Sequence, residues 1–226
     1  DEYSKKVLQI GKKSKLKVLS KYGIGLDRID LECALELGIK VFNTPNVNSE
    51  AVAEHVFALL LTFEKNIIHE NYITQNNKWE RLIGHEIFNK NILVIGLGSV
   101  GKEVCKRATA FGMNVYGYDI VEDEKFNRKF KINFKKNFKN VLDKIDYISL
   151  NLPLNEKTNN LIDENVLANC KNNIKIINTA RGKLINQKAL IKYLENGKIG
   201  GYLTDVLEEE PMIHNHPLLN FDNVLI

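Results

Sequence analysis

Cysteine is scarce in this sequence. Cys33, Cys105 and Cys170 are the three present in 226 residues, at wide and unrelated spacings. An odd, scattered set excludes a disulfide framework and a zinc pattern, and it points to a reducing compartment. Long hydrophobic runs are missing too: the longest, residues 56–61, is far short of the roughly 20 apolar residues of a membrane span. Asp1, Glu2 and Tyr3 have no apolar run behind them, so no secretory signal is read. Neither end carries a block of like charge. With 32 basic and 28 acidic residues the net charge is only +4, which argues against a general nucleic-acid binder. What is present is 44% hydrophobic residues against 27% charged, enough for a sizeable core and too apolar for a disordered chain. The expectation is a soluble, cytoplasmic globular protein with no membrane and no nucleic-acid partner.

Strand-like and helix-like segments alternate along the chain. Residues 17–20 are β-prone, and Gly23 and Gly25 follow as turn residues. Asp30 is placed to cap a short helix that ends at Gly38, and residues 39–42 form the next strand. This reads as one parallel βαβ unit. Asn43-Thr44-Pro45 closes it. A long helix is expected over 49–68, with Val52, Val56, Leu59, Leu60 and Phe63 at helical spacing and Phe57, Ala58 and Leu61 widening the stripe. A helix apolar on more than one side is expected to pack against another domain or subunit. Residues 75–81 read as a loop. Further strands are expected at 92–95, 115–118, 147–152, 175–178, 201–205 and 224–226, with helical patterns between them. The fold class is therefore α/β, a doubly wound parallel sheet. Residues 126–138, basic and aromatic, read as a solvated face beside that sheet. The division expected falls after residue 45, with a small unit at 1–45 and the doubly wound unit at 46–226.

Gly96-Leu97-Gly98-Ser99-Val100-Gly101 follows a strand directly and opens a helix. Such glycines permit a tight turn, close approach of backbone to pyrophosphate and close helix–strand packing, and the helix N-terminus favours an anion. Asp119 ends the next strand 18 residues after Gly101, near the ~20 expected for a ribose-binding acid. Ile120, Val121, Glu122, Asp123 and Glu124 offer no arginine to a 2′-phosphate, so the cofactor expected is NAD rather than NADP. Asn178-Thr179-Ala180-Arg181-Gly182 lies at the carboxyl end of a strand, where an arginine can grip a carboxylate bidentately. Asp205 ends the following strand, and Pro211 fixes the backbone after Glu210.

Together these residues resemble the D-isomer-specific 2-hydroxyacid dehydrogenases, and among them the D-3-phosphoglycerate dehydrogenases. The resemblance runs in family order through 21–30, Asn43-Thr44-Pro45, 49–54, Lys78-Trp79-Glu80-Arg81, the glycine turn, Leu152-Pro153-Leu154 with Thr158, 178–182 and 205–211. It implies a Rossmann NAD-binding domain with part of a smaller flavodoxin-like substrate domain. Arg181 matches the arginine that binds the substrate carboxylate and polarises the carbonyl. Glu210 matches the glutamate that raises the pKa of the catalytic histidine. Cofactor contacts are implied for Gly96, Gly98, Ser99, Val100, Gly101, Asp119, Pro153, Thr158, Thr179, Ala180 and Asp205, the last orienting the nicotinamide carboxamide. Substrate contacts are implied for the Gly23-Ile24-Gly25 backbone, for Arg181, and for Lys21 at a distal phosphate. The reaction implied is hydride transfer between nicotinamide and C2 of a 2-hydroxy or 2-keto acid, with 3-phosphoglycerate and serine synthesis foremost. Glyoxylate or hydroxypyruvate reductase, D-lactate dehydrogenase and an NAD-sensing corepressor-like protein remain alternatives. A homodimer through the 49–68 helix and the NAD domain is also implied.

The family's catalytic histidine lies in a Thr-Pro-His segment just after a strand like Asn223-Val224-Leu225-Ile226. The chain opens without methionine and stops at that strand, so it is expected to be a piece of a longer polypeptide that binds NAD with little or no turnover. His55, His69, His85, His214 and His216 are each expected to be structural, with His216-Pro217-Leu218 matching a non-catalytic turn.

Overall fold

The computed structural model describes residues 2–226. The chain forms two compact units, residues 1–49 and 50–226. In the first, α1 (Lys5–Lys13) and α2 (Leu31–Glu36) accompany two parallel strands, β1 (Val18–Ser20) and β2 (Lys40–Phe42). Leu8, Cys33, Ala34 and Ile39 form its small core. Asp30 caps α2 as expected, accepting the Cys33 N–H at 2.9 Å.

The second unit holds a seven-stranded, all-parallel sheet. Its strands are β3 (Asn91–Ile95), β4 (Asn114–Tyr118), β5 (Asn133–Phe134), β6 (Tyr147–Leu150), β7 (Ile174–Asn178), β8 (Ile199–Thr204) and β9 (Val224–Leu225). The spatial order is β5-β4-β3-β6-β7-β8-β9. From β3 the chain winds outward to β5, then returns to β6 and winds outward the other way. The reversal leaves a crevice at the carboxyl ends of β3 and β6, where sheets of this order bind dinucleotides. Both faces are covered, so the central strands read as continuous apolar runs: Ile92, Leu93, Val94 and Ile95 are all fully buried. Ile92 and Val94 pack with Val104 and Ala108 of α5 (Ser99–Ala110), while Leu93 and Ile95 pack on the face that carries Leu167 and Leu190 of the later crossovers.

Three expectations change. The helix expected over 49–68 is two helices, α3 (Ser49–Glu64) and α4 (Ile67–Gln75), separated at Asn66, whose φ of 51° is left-handed. The apolar excess of α3 is buried inside its own unit: Ala53, Val56 and Leu60 are fully buried against Val94, Val104 and Leu203. That helix therefore needs no partner chain to account for its composition. The stretch 126–138 is not a solvated face. It contains α6 (Glu124–Phe130) and the edge strand β5, with Phe126, Phe130 and Phe134 packed on one face of the sheet and Phe138 buried on the other. These rings recur every fourth residue, but the chain turns from helix to strand at Lys131 (φ 54°), which hides the period. Among the described residues no helix is long and apolar enough to cross a membrane.

Candidate functional site

The turn after β3 is built on contacts that only bare glycines allow. A Cβ on Gly96 (φ +94°) would lie 2.5 Å from the Asn151 carbonyl oxygen, and one on Gly101 would lie 1.8 Å from the Gly96 oxygen. Those two positions let α5 start directly against the strand. Gly98 is different, because a Cβ there would meet nothing within 4 Å. Its bare surface opens onto the crevice beside Ser99 and Val100, at the start of α5, where the first N–H groups have no partner within the helix.

Asp119 follows β4 and closes on this turn. Its Oδ2 accepts the Leu97 N–H at 2.6 Å and its Oδ1 accepts the Ile120 N–H at 2.6 Å. The carboxylate is thus fixed at the turn and keeps further lone pairs for a ligand hydroxyl. The acids behind it serve structure. Asp123 accepts the Phe126 N–H at 3.0 Å, capping α6, and pairs with Lys102 of α5 at 2.6 Å. The Lys102 ammonium holds the Asp123 carboxyl below the usual carboxylate range. Residues 120–124 offer no arginine, as read from the sequence, and Lys102, from 21 residues upstream, is paired with Asp123.

Beyond β6 and β7 two buried polar atoms, Asn151 Oδ1 and Thr179 Oγ1, have no hydrogen-bond partner among the described residues. Asn178, fully buried, shapes the turn that carries Thr179. Its Oδ1 accepts the Ala180 N–H at 3.1 Å and its Nδ2 donates to the Arg181 carbonyl at 2.8 Å. Thr158 acts as a latch: its hydroxyl donates to the Pro153 carbonyl at 2.7 Å and accepts the Asn155 N–H at 2.8 Å, fastening the loop after β6.

Arg181 lies at the end of that Asn178-shaped turn, with Nη1 donating to the Ala180 carbonyl at 2.6 Å. A Cβ on Gly182 would lie 2.0 Å from the Leu207 carbonyl carbon, so the arginine turn is seated against 207–208. Glu210 Oε1 accepts the Leu207 N–H at 3.1 Å, which brings the same segment to the glutamate. Asp205 follows β8. Burial pushes its carboxyl above the ordinary aspartate value, the Glu210 charge adds to this, and the charges of His55 and Arg181 pull the other way. His55 Nε2, on α3, is 3.6 Å from Asp205 Oδ2. Arg181, Asp205 and Glu210 thus share one electrostatic neighbourhood, and His55 joins them unforeseen. His216 is structural: it is buried, and its Nδ1 accepts the Leu218 N–H at 3.3 Å.

In the first unit, Asn43-Thr44 fastens the glycine loop after β1. Gly23 (φ +124°) donates its N–H to Thr44 Oγ1 at 2.9 Å, and Asn43 Nδ2 donates to the Ile24 carbonyl at 2.9 Å. The Lys21 N–H donates to the Phe42 carbonyl at 2.8 Å, setting Lys21 at the end of β1 ahead of Ile24 and Gly25. Asn151 is absent from the sequence reading, Asn178 enters it only as the start of the 178–182 motif, and His55 enters it only as a structural histidine. Asn178 alone had a local signal, its place before Thr179 at a strand end.

The crevice of the second unit suits a dinucleotide: an open glycine surface, an uncapped helix N-terminus, a fixed carboxylate and two unpartnered buried polar atoms. The model of the D-isomer specific 2-hydroxyacid dehydrogenase, NAD binding domain, matches residues 57–226. The chain is 40% identical over 218 residues to D-3-phosphoglycerate dehydrogenase of Methanocaldococcus jannaschii, covering 96% of this chain and 41% of that one. It is 34% identical to glyoxylate reductase of Korarchaeum cryptofilum, covering 94% of this chain and 65% of that one. The crystal structure of D-lactate dehydrogenase from Aquifex aeolicus, complexed with NAD and lactic acid, superposes with a TM-score of 0.88 at 30% identity, covering all of this chain and 72% of that one. The chain thus spans between about two fifths and two thirds of the length of these curated relatives. With its parallel sheet, its glycine turn and these matches, the chain belongs to the D-isomer specific 2-hydroxyacid dehydrogenase family, with the family's NAD-binding domain over residues 57–226.

Proposed function

We propose that the protein transfers hydride between NAD and C2 of a D-2-hydroxy acid, with 3-phosphoglycerate and 3-phosphohydroxypyruvate as the substrate pair of serine biosynthesis. The observation that carries the reaction class is the seating of Arg181 against the segment that leads to Glu210, beside Asp205, at the carboxyl ends of β7 and β8. The phosphorylated substrate is favoured by the 40% identity to a D-3-phosphoglycerate dehydrogenase.

When bound, NAD supplies the nicotinamide C4 that accepts or donates the hydride. All else falls to the chain. Gly96, Gly98 and Gly101, with the N–H groups of Ser99 and Val100, cradle the pyrophosphate. Asp119 accepts a hydroxyl of the adenosine ribose, and a 2′-phosphate at that carboxylate would meet like charge, which favours NAD over NADP. Pro153, Thr158, Thr179 and Ala180 flank the cofactor, and Asp205 accepts the carboxamide N–H. Arg181 grips the substrate carboxylate bidentately and polarises the reacting carbonyl. The Gly23-Ile24-Gly25 N–H groups hold the substrate, and Lys21 takes the distal phosphate. Glu210 stands where the family's glutamate faces a proton-exchanging histidine, whose protonated ring an opposite charge favours.

The test is NADH oxidation by the full-length gene product with phosphohydroxypyruvate, hydroxypyruvate, pyruvate and glyoxylate in parallel. Preference for the phosphorylated acid is expected. Preference for another acid changes the substrate and keeps the reaction, whereas turnover of none of them contradicts the reaction itself. Arg181→Ala is expected to remove turnover while leaving NADH affinity nearly unchanged.

The assembly proposed is a homodimer whose partner covers the apolar side chains exposed on α4 and the segment after it. Ile68 is 57% exposed, Trp79 81% and Ile83 87%. Ile83→Asp is expected to give monomers in sedimentation, and an unchanged dimer would refute this surface.

A further inference from the structure

His55 lies 126 residues before Arg181 and 150 before Asp205, yet its ring nitrogen is 3.6 Å from the Asp205 carboxylate. Its position is fixed by burial. Ala53, Val56, Phe57 and Leu60 lock α3 against the sheet, and His55 is left on the opposite, half-exposed face of that helix at the carboxyl end of β8. Its neighbour Glu54 does not compete for it, being turned to Arg107 at 3.4 Å. Asp205 has His55, Glu210 and Arg181 about it, and burial raises its carboxyl above the ordinary aspartate value while His55 and Arg181 act against that. In the function proposed above, Arg181 is taken up by the carboxylate of the substrate, and the His55 ring stays beside Asp205 Oδ2.

We propose that His55 is a positioning residue for the nicotinamide half of the cofactor, fixing the Asp205 carboxylate so that one of its oxygens faces the carboxamide. This rests on the reading that Asp205 accepts that carboxamide. It concerns one half of the cofactor only: the glycine turn and Asp119, assigned above to the pyrophosphate and the adenosine ribose, are held to each other by the Leu97 N–H bond to Asp119.

The test compares the dissociation constants of NADH and of ADP-ribose, which lacks nicotinamide, by calorimetric titration of the protein and of its His55→Leu and His55→Lys variants. His55→Leu is expected to weaken NADH about 5- to 10-fold, the size of a lost charge-assisted contact, and to leave ADP-ribose within about twofold. His55→Lys is expected to recover most of the NADH affinity, because it places an ammonium beside Asp205. An NADH constant unchanged in His55→Leu overturns the proposal. Equal weakening of both ligands also overturns it, by making His55 a structural residue. Failure of the unmutated protein to bind either ligand overturns the cofactor reading itself, and the role of His55 with it.

Discussion

At the amino ends of β6 and β7, Glu64 reaches in from α3 with only 1% of its side chain exposed, and one of its two oxygens is committed to the fold. Its Oε1 accepts the Tyr147 hydroxyl at 3.0 Å and lies 3.8 Å from Lys175 Nζ, while its Oε2, 3.5 Å from His85 Nδ1, has no hydrogen-bond partner among the described residues. The pairing ties the last turn of α3 to two strands, and burial together with the Glu64 charge drives the Tyr147 pKa upward. At the carboxyl ends of the same two strands the polar groups are handled differently. Asn151 Oδ1 and Thr179 Oγ1 are buried with no hydrogen-bond partner among the described residues, next to a glycine turn whose middle residue faces open space. A buried polar group without a partner costs about 1–3 kcal/mol. Both ends hold an unpartnered buried oxygen, but at the amino end it belongs to a carboxylate already tied to Tyr147 and Lys175, whereas at the carboxyl ends it lies beside an open glycine turn.

The sharpest way to break this contrast lies within the glycine turn. Gly101→Ala must push against a carbonyl oxygen 1.8 Å away, and it is expected to destabilise the second unit by roughly 3 kcal/mol or more, read as a lower thermal midpoint. Gly98→Ala meets no protein atom; it is expected to leave the midpoint in place and weaken NADH about tenfold, since its methyl group occupies the space of the ligand. If both variants lose stability, the open face at Gly98 is a packing surface and the contrast fails. Next in size is the amino end. Tyr147→Phe removes the donor to Glu64 and is expected to cost about 1–3 kcal/mol of stability with no change in NADH affinity. A weakened NADH affinity would show that the two ends are coupled. The smallest effect is the mirror image: Thr179→Val exchanges an unpartnered hydroxyl for a methyl of the same shape. Its midpoint should hold or rise, while NADH binding weakens about fivefold. A loss of stability there would mean the hydroxyl serves the fold.

The same contrast explains what could be read from the sequence. The parallel sheet was readable because its buried strands are unbroken apolar runs, as at Ile92-Leu93-Val94-Ile95, and because helical patterns alternate with them. The glycine turn and Asp119 were readable because their spacing is local. The division at Asn66 was not, since a left-handed residue between two helical patterns leaves the periodicity almost intact. Nor was β5, two residues long, readable behind an aromatic spacing that continues through the change from helix to strand. Leu60 illustrates the limit of composition: its helix is apolar enough to suggest an interface, yet Leu60 is fully buried in its own unit and the exposed apolar surface lies further on, at Ile68, Trp79 and Ile83. The residues that complete the site are the ones sequence distance hides. Lys102 meets Asp123 across 21 positions, and His55 meets Asp205 across 150.

Calorimetric titration of NADH and NADPH into the unmutated protein and its Asp119→Ala variant tests the central claim most directly. A single saturable NADH site, tighter than that for NADPH, is predicted for the unmutated protein, with Asp119→Ala losing about tenfold in NADH affinity and most of the preference over NADPH. Absence of NADH binding, or an affinity and preference untouched by Asp119→Ala, would contradict the assignment of the carboxyl-end crevice as the dinucleotide site.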